Sequence, residues 1–479
     1  MLTRRSGNSG VMKRREFKYV VILLVFIGVN WCLYTAEPPE ELPSQFEIEP
    51  EVITRLQEHI VPFRTAEPGT NYDDLMPLKE IIGDARIVAL GEATHGTSEF
   101  FTMKHRILEF LVEEMGFNVF AMEAVWPESN LVNEYVHTGN GDPAELLAGL
   151  GFWTWNTQEV LDMITWMREH NENPGTSPTV SFFGFDMQGP ITAMDNVCVY
   201  LQKVDPEAVD YVDSLYAPFR SVLSDFERLF DYPNASQSQK DQCRKNVQEV
   251  YNYLRSHQDI YERASSPDEF AFALQSARMC VQAEDMYVAE DMYVGMGSRD
   301  QYMAENVTWI LEQTGPDSKM VIWAHNSHVS VDSPFGFPSF KPMGAYLREK
   351  YNDEMVVFGF TFYSGSFNAT TVIQDDPLIL DFPTAFEVEP PPKESYEYYF
   401  HSTVLSRFFL NLREIELSPA TTWLFEPRPF RFIGAAYDKS KPSEFFSNIT
   451  LPRMFDVIIY IENTSPSHLL KLKWRAVIY

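Results

Sequence analysis

A chain of 479 residues, 45% of them hydrophobic, exceeds one average domain but is within reach of one large α/β domain carrying an insertion. Lys+Arg number 38 against 68 Asp+Glu, and the resulting formal charge of −30 repels nucleic acid and anionic surfaces, which argues against a nucleic-acid partner. Four cysteines without CxxC spacing do not make a disulfide scaffold; Cys198, Cys243 and Cys280 either include one bridge, Cys243 to Cys280, or are ordinary buried thiols.

Residues 1–18 are basic, with Arg4, Arg5, Lys13, Arg14, Arg15 and Lys18; 19–34 are almost wholly apolar; 35–51 are acidic and Pro-rich. That order predicts a signal anchor with its N-terminus inside and the interfacial aromatics Trp31 and Tyr34 at its outer end. A spanning helix needs about 17 to 25 residues, so the short run also fits the core of a cleaved signal peptide. Membrane contact is expected only through this segment, leaving the rest of the chain anchored on the extracytoplasmic side or secreted. Sequons at Asn234, Asn306, Asn368, Asn448 and Asn463 are compatible with export.

The body, 52–479, opens on helices expected over Val52–Phe63 and Asp73–Ile82. RIVAL then reads as a buried strand, GEATHG as a turn, Ser98–Met115 as a helix capped by Ser98 and stopped by Gly116, and FNVFAMEA as the next strand. Strand, helix and strand with short returns make a βαβ unit, hence a parallel sheet. Tyr135–His170 is predicted helical around a loop at Gly139–Gly141, and GFWTWN sets Trp153 and Trp155 either to wall a pocket or to pack under a loop. SFFGFD is a strand; about 195–310 is a helical insertion, a candidate lid, in which the hexapeptide AEDMYV occurs twice in tandem, Ala283–Val288 and Ala289–Val294, lengthening a helix or loop. MVIWAH, MVVFGF, RFIGAAY and FDVIIYI supply the later strands, and Asp375–Tyr396 a surface loop. The expected class is α/β, a central mostly parallel sheet flanked by helices with a large helical insertion.

Five apolar runs end in an acid, a histidine or both: RIVALGEATH, NVFAMEA, SFFGFD, MVIWAHNSH and DVIIYIE. In open α/β sheets ligands bind outside the carboxyl ends of the strands, so four such ends converging would gather Glu92, His95, Glu123, Asp186, His325 and His328. His95 beside Glu92 is suited to take a proton from water near neutral pH. Asp186 fits either the site or a helix cap. Histidines and carboxylates also suit a divalent metal, with His95, Glu123 and His325 or His328 as ligands, but HExxH and cysteine pairs are missing. No cofactor is therefore expected, and a divalent ion is the alternative.

LGEATHGTSEFFTMKHRILEFLVEEMGF (90–117), FAMEA, FGFDMQG, SRDQYMAENVTWIL (298–311) and WAHNSHV together resemble the erythromycin esterase family, over roughly 81–360. The resemblance implies an α/β core with a helical insertion and metal-free hydrolysis of a small-molecule ester or macrolide lactone. Carried over by motif, His95 would be the general base, Glu92 and Glu123 would orient it and the histidines, and His325 and His328 would position groups or stabilise the oxyanion. Lys104, Arg106 and Arg299 fall inside matching motifs and would hold carboxylates or neutralise developing charge. A metal-dependent hydrolase or peptidase and an anchored binding module with a degenerate site are the competing readings. The anchor, the acidic tether and the duplicated hexapeptide depart from the cytoplasmic resistance enzymes of the family, so the hydrolytic site transfers more safely than macrolide specificity.

Overall fold

The apolar runs fold as strands, in chain order β1 (Ile60–Pro62), β2 (Ile87–Leu90), β3 (Val119–Val125), β4 (Ser181–Asp186), β5 (Met320–Trp323), β6 (Met355–Thr371), β7 (Thr384–Val388), β8 (Arg407–Asn411), β9 (Arg428–Arg431), β10 (Ala436–Tyr437), β11 (Phe446–Ile449) and β12 (Val457–Thr464). The computed structural model describes residues 47–471 apart from 174, 176, 177, 225, 337–339 and 372–381. The main sheet has the order β1-β8-β12-β6-β2-β5-β3-β4, with β7 and β10 added to the far half of β6; β9 and β11 form a separate pair. From β12 across to β4 every neighbouring pair is parallel, whereas β8 and β1 close the edge antiparallel.

Strands buried on both faces need apolar residues at every position, which is why β2 and β5 read as the unbroken runs IVAL and MVIW. The period of two then divides each strand between two layers: Ile87 and Ala89 pack into one core, Val88 and Leu90 into the other. The helix Ser98–Met115 covers the second layer, and the helices of the insertion cover the first. Gly116 ends the former in the left-handed conformation at φ 74°, as expected, but Thr97 occupies the N-cap position.

Several expectations change in detail. The first helix is Pro50–Glu58, and Ile60–Pro62 leave it to pair with β8. The second is only Leu78–Ile82, because Asp73–Pro77 take turn conformation. Tyr135–His170 falls within three helices, Trp126–Thr138, Pro143–Gly149 and Gln158–Glu172, the first stopped by Gly139 at φ 76°. The two copies of AEDMYV diverge: the first ends the helix Pro267–Tyr287, while in the second Asp291 caps a new helix, Met292–Thr314. RFIGAAY is split between the end of β9 and β10. Cys198, Cys243 and Cys280 are free thiols, so the pairing of Cys243 with Cys280 is not made. Asn306 and Asn368 are buried with their amides bonded to Phe185 O and Ser467 O, so these two sequons are closed to a glycan in the folded chain. The basic segment, the expected anchor and most of the tether lie outside the described residues; among the described ones no helix is long and apolar enough to cross a membrane.

Candidate active site

β2, β5, β3 and β4 are adjacent and parallel, so their carboxyl ends present Glu92 and His95, His325, Glu123 and Asp186 along one edge. The turn after β2 runs close to β6, and a Cβ on Gly96 would overlap the backbone of Asn368. Only glycine, lacking a Cβ, lets the turn that carries His95 pass so close to β6.

Glu92 Oε1 lies 2.6 Å from His95 Nδ1. Its other oxygen accepts from Lys104 Nζ at 2.5 Å and from Trp323 Nε1 at 2.8 Å, all inside the protein. A carboxylate accepting from a lysine and an indole is an acceptor only, so the His95 Nδ1 proton points at it and the ring's basic lone pair is on Nε2. Burial lowers the Lys104 pKa to about 8 although Glu92 opposes the change, and the ammonium also stands 4.3 Å from the centre of the Trp323 ring. Trp155 meets His95 edge-on with ring centres 5.8 Å apart and donates from its indole to Glu123 O at 3.0 Å.

The second half of the cluster centres on Arg299. Its guanidinium donates to Glu123 Oε1 at 2.8 Å, to Asp186 Oδ2 at 2.7 Å, and faces His328 Nε2 at 3.1 Å. Glu123 Oε2 accepts from the backbone N–H of His325 at 3.0 Å. Burial would push the Glu123 carboxyl up, but His328, Arg299 and His95 outweigh it and hold the group well below the usual carboxylate range. Asp186 thus belongs to the site, and Gly189, not Asp186, takes the N-cap position of the helix that follows.

His325 and His328 occupy one helical turn, Asn326–Val329, with His325 as its cap. The Ser327 N–H donates to His325 Nδ1 at 3.2 Å, which leaves the proton on Nε2 to donate to Ile433 O at 3.2 Å. Burial and the neighbouring His95 and His328 depress the His325 pKa well below its ordinary value, in keeping with a neutral ring that props the site. His328 differs. Asp300 lies 2.9 Å from its Nδ1, and Asp300 and Glu123 raise its pKa despite burial. A neutral His328 accepts from Arg299 at Nε2, whereas a protonated one turns the same nitrogen to Glu123, 3.4 Å away. Ring centres of His95 and His325 are 5.1 Å apart, and those of His325 and His328 are 6.4 Å apart, so the three imidazoles form a row.

Two expected residues are not brought into the cluster. Arg106 points from the opposite side of its helix and binds Asp74 at 2.6 Å together with the Thr65 and Asn71 carbonyls. Trp153 is buried, but no hydrogen bond or ring contact found for it among the described residues reaches the histidines. Glu462, the end of the fifth run, pairs with His401 at 2.6 Å outside the cluster. Asp300 was missed because a lone acid in a polar helix reads as a solvated one. Among the described residues no group of three or more His, Cys, Asp or Glu side chains is arranged to hold a metal ion. His95 Nδ1, the His325 nitrogens and both Glu123 oxygens are engaged with protein groups instead.

Residues 112–464 match the family model described as erythromycin esterase. The chain belongs to that family. It is accordingly a hydrolase of the erythromycin esterase type. Escherichia coli erythromycin esterase type II is 27% identical over 426 residues, an alignment spanning 86% of this chain and 97% of its relative. Among solved structures, a succinoglycan biosynthesis protein superimposes with a TM-score of 0.76 at 28% identity, covering 89% of this chain and all of its own (100%). An erythromycin esterase mutant, EreC in its open conformation, shares the fold with a TM-score of 0.69 at 17% identity over 86% of this chain and 100% of its own.

Proposed function

We propose that this member of the erythromycin esterase family hydrolyses a carboxylic ester or macrolide lactone with water activated by His95 and without a metal. The observation that carries the reading is the Glu92–His95 contact of 2.6 Å, locked from behind by Lys104 and Trp323. Glu92 fixes the tautomer, so Nε2 removes a proton from water as the oxygen attacks the ester carbonyl carbon. The resulting imidazolium is stabilised by Glu92. Negative charge that develops on the carbonyl oxygen is met by the positive side of the site, Arg299 and His328. When the intermediate collapses, the carbon–oxygen bond to the alcohol breaks, and the His95 proton passes to the leaving oxygen; the products are an acid and an alcohol. Glu123, His325 and Asp186 keep Arg299 and His328 in place. The order of charge in the N-terminal segment supports an enzyme working outside the cytoplasm, anchored or released.

Purified protein is given a panel of macrolides and simple esters with and without chelator, beside His95→Ala. Removing a general base lowers turnover by about 10²–10⁴-fold. Turnover that survives chelation and collapses in the variant is the expected result. Chelator-sensitive turnover would instead favour a metallohydrolase.

A further inference from the structure

A cavity of about 300 Å³ adjoins the cluster, with Leu229, Met286, Met292 and Met296 as its apolar wall and Gln188 and Arg299 as the wall it shares with the site. Those last two both bond Asp186, so the cavity and the histidines meet through one carboxylate. We propose that this pocket takes the hydrocarbon part of the ester, and that the tandem AEDMYV duplication builds its specificity wall; the proposal rests on the esterase reading above.

The two copies contribute the same position. Met286 is the fourth residue of the first and Met292 the fourth of the second, and both line the cavity. Identical sequence would continue one helix and carry the second methionine away from the first, but the chain breaks after Tyr287 and restarts where Asp291 accepts from the Tyr293 N–H at 2.8 Å. The fold back is tight, since a Cβ on Gly295 would stand 3.0 Å from Met286 O. Each copy is also tied to the same outer segment by its glutamate, Glu284 to Tyr232 at 2.7 Å and Glu290 to Lys240 at 2.7 Å. From the first copy Tyr287 donates to Gln188 O at 2.7 Å, which fixes the wall shared with the site. Methionine is unbranched and polarisable, so three of them accept hydrocarbon of varied shape rather than one outline. A cavity of this size is at the small end for a binding pocket, enough for an acyl or alkyl arm.

The test uses nitrophenyl esters from acetate to octanoate on the wild type, Met292→Asp and Met292→Leu. Met292 is 43% exposed at the first position of its helix, where an acid is favourable, and melting curves check that the variant folds. In the wild type kcat/KM is expected to rise by up to about fourfold per methylene until the pocket is full. The octanoate-to-acetate ratio should fall at least about tenfold in M292D and stay within about twofold in M292L. An unchanged ratio in M292D overturns the proposal. Calorimetric binding of an uncleavable long-chain methyl ketone reads the pocket without turnover. If no ester is cleaved but the ketone binds and M292D weakens it, the pocket stands and the esterase reading falls; equal ketone binding by both proteins overturns the pocket whatever the turnover.

Discussion

Asp300 follows Arg299 directly, and the two side chains hold opposite nitrogens of His328, Asp300 at Nδ1 and Arg299 at Nε2. The strand-ending histidines and acids were legible from sequence because a charged group after a buried apolar run has few structural uses. Asp300 had no such frame, and its partner is 28 residues away and joined only by the fold. Its role predicts a pH signature. The folded pKa of His328 is raised above the unfolded value of about 6.5, so the folded state binds the extra proton and gains stability from it. That contribution is complete below about pH 6.5 and disappears as pH rises through the folded pKa. Asp300→Asn keeps the size of the side chain and an acceptor for the Met343 N–H but removes the charge, and is expected to cost roughly 1.5–3 kcal/mol. Melting temperatures measured across pH should diverge most on the acid side and converge towards alkaline pH; a gap independent of pH would mean that His328 is not the group responsible. Turnover should fall at least about tenfold through loss of positive charge beside Glu123.

On the helix Ser98–Met115, one motif serves two purposes. Lys104 and Arg106 are two residues apart, hence about 200° apart around the axis, so they cannot both face the same site. Sequence placed them together because the motif is continuous; the helix sends Lys104 to Glu92 and Arg106 to Asp74. Arg106→Met should lower the melting temperature through loss of the buried guanidinium's bonds to Asp74 and the Thr65 and Asn71 carbonyls, an effect of about 1.5–3 kcal/mol because Arg64 still pairs with Asp74, with kcat/KM per folded molecule retained. Lys104→Met should lose stability and turnover together, because Glu92 loses one of the two donors that hold its carboxylate behind His95. Equal kinetic damage from both substitutions would contradict this division. The same scale explains which elements were legible. Buried parallel strands show as apolar runs, so β2 to β6 were found within a residue or two at their starts. The break between the AEDMYV copies was not visible, since both copies have the same local propensity and only the packing around Gly295 and Lys240 separates their fates.

Across the whole molecule the charge of −30 acts on stability and on substrate choice at once. Self-repulsion destabilises the compact state, and many of the ion pairs that offset it are at the surface, such as Lys203–Glu269 with side chains 53% and 49% exposed. Exposed pairs are each worth little, about 0–1 kcal/mol, so the uncompensated acids should dominate. Raising salt from about 0.01 M to about 0.15 M shortens the screening length from about 30 Å to about 8 Å, which removes most of the repulsion between distant carboxylates and leaves buried contacts such as Glu92–Lys104 almost untouched. The melting temperature is therefore expected to rise over that range. Substrates divide by the same field: kcat/KM for a neutral ester should be nearly flat with salt, while that for a monoester carrying a free carboxylate should be low at first and climb. A melting temperature that falls with salt would mean that the surface pairs, and not the excess of acids, set the balance. A neutral ester whose kcat/KM climbed as steeply as the anionic one would place the salt effect on the enzyme's own conformation and not on repulsion of the substrate.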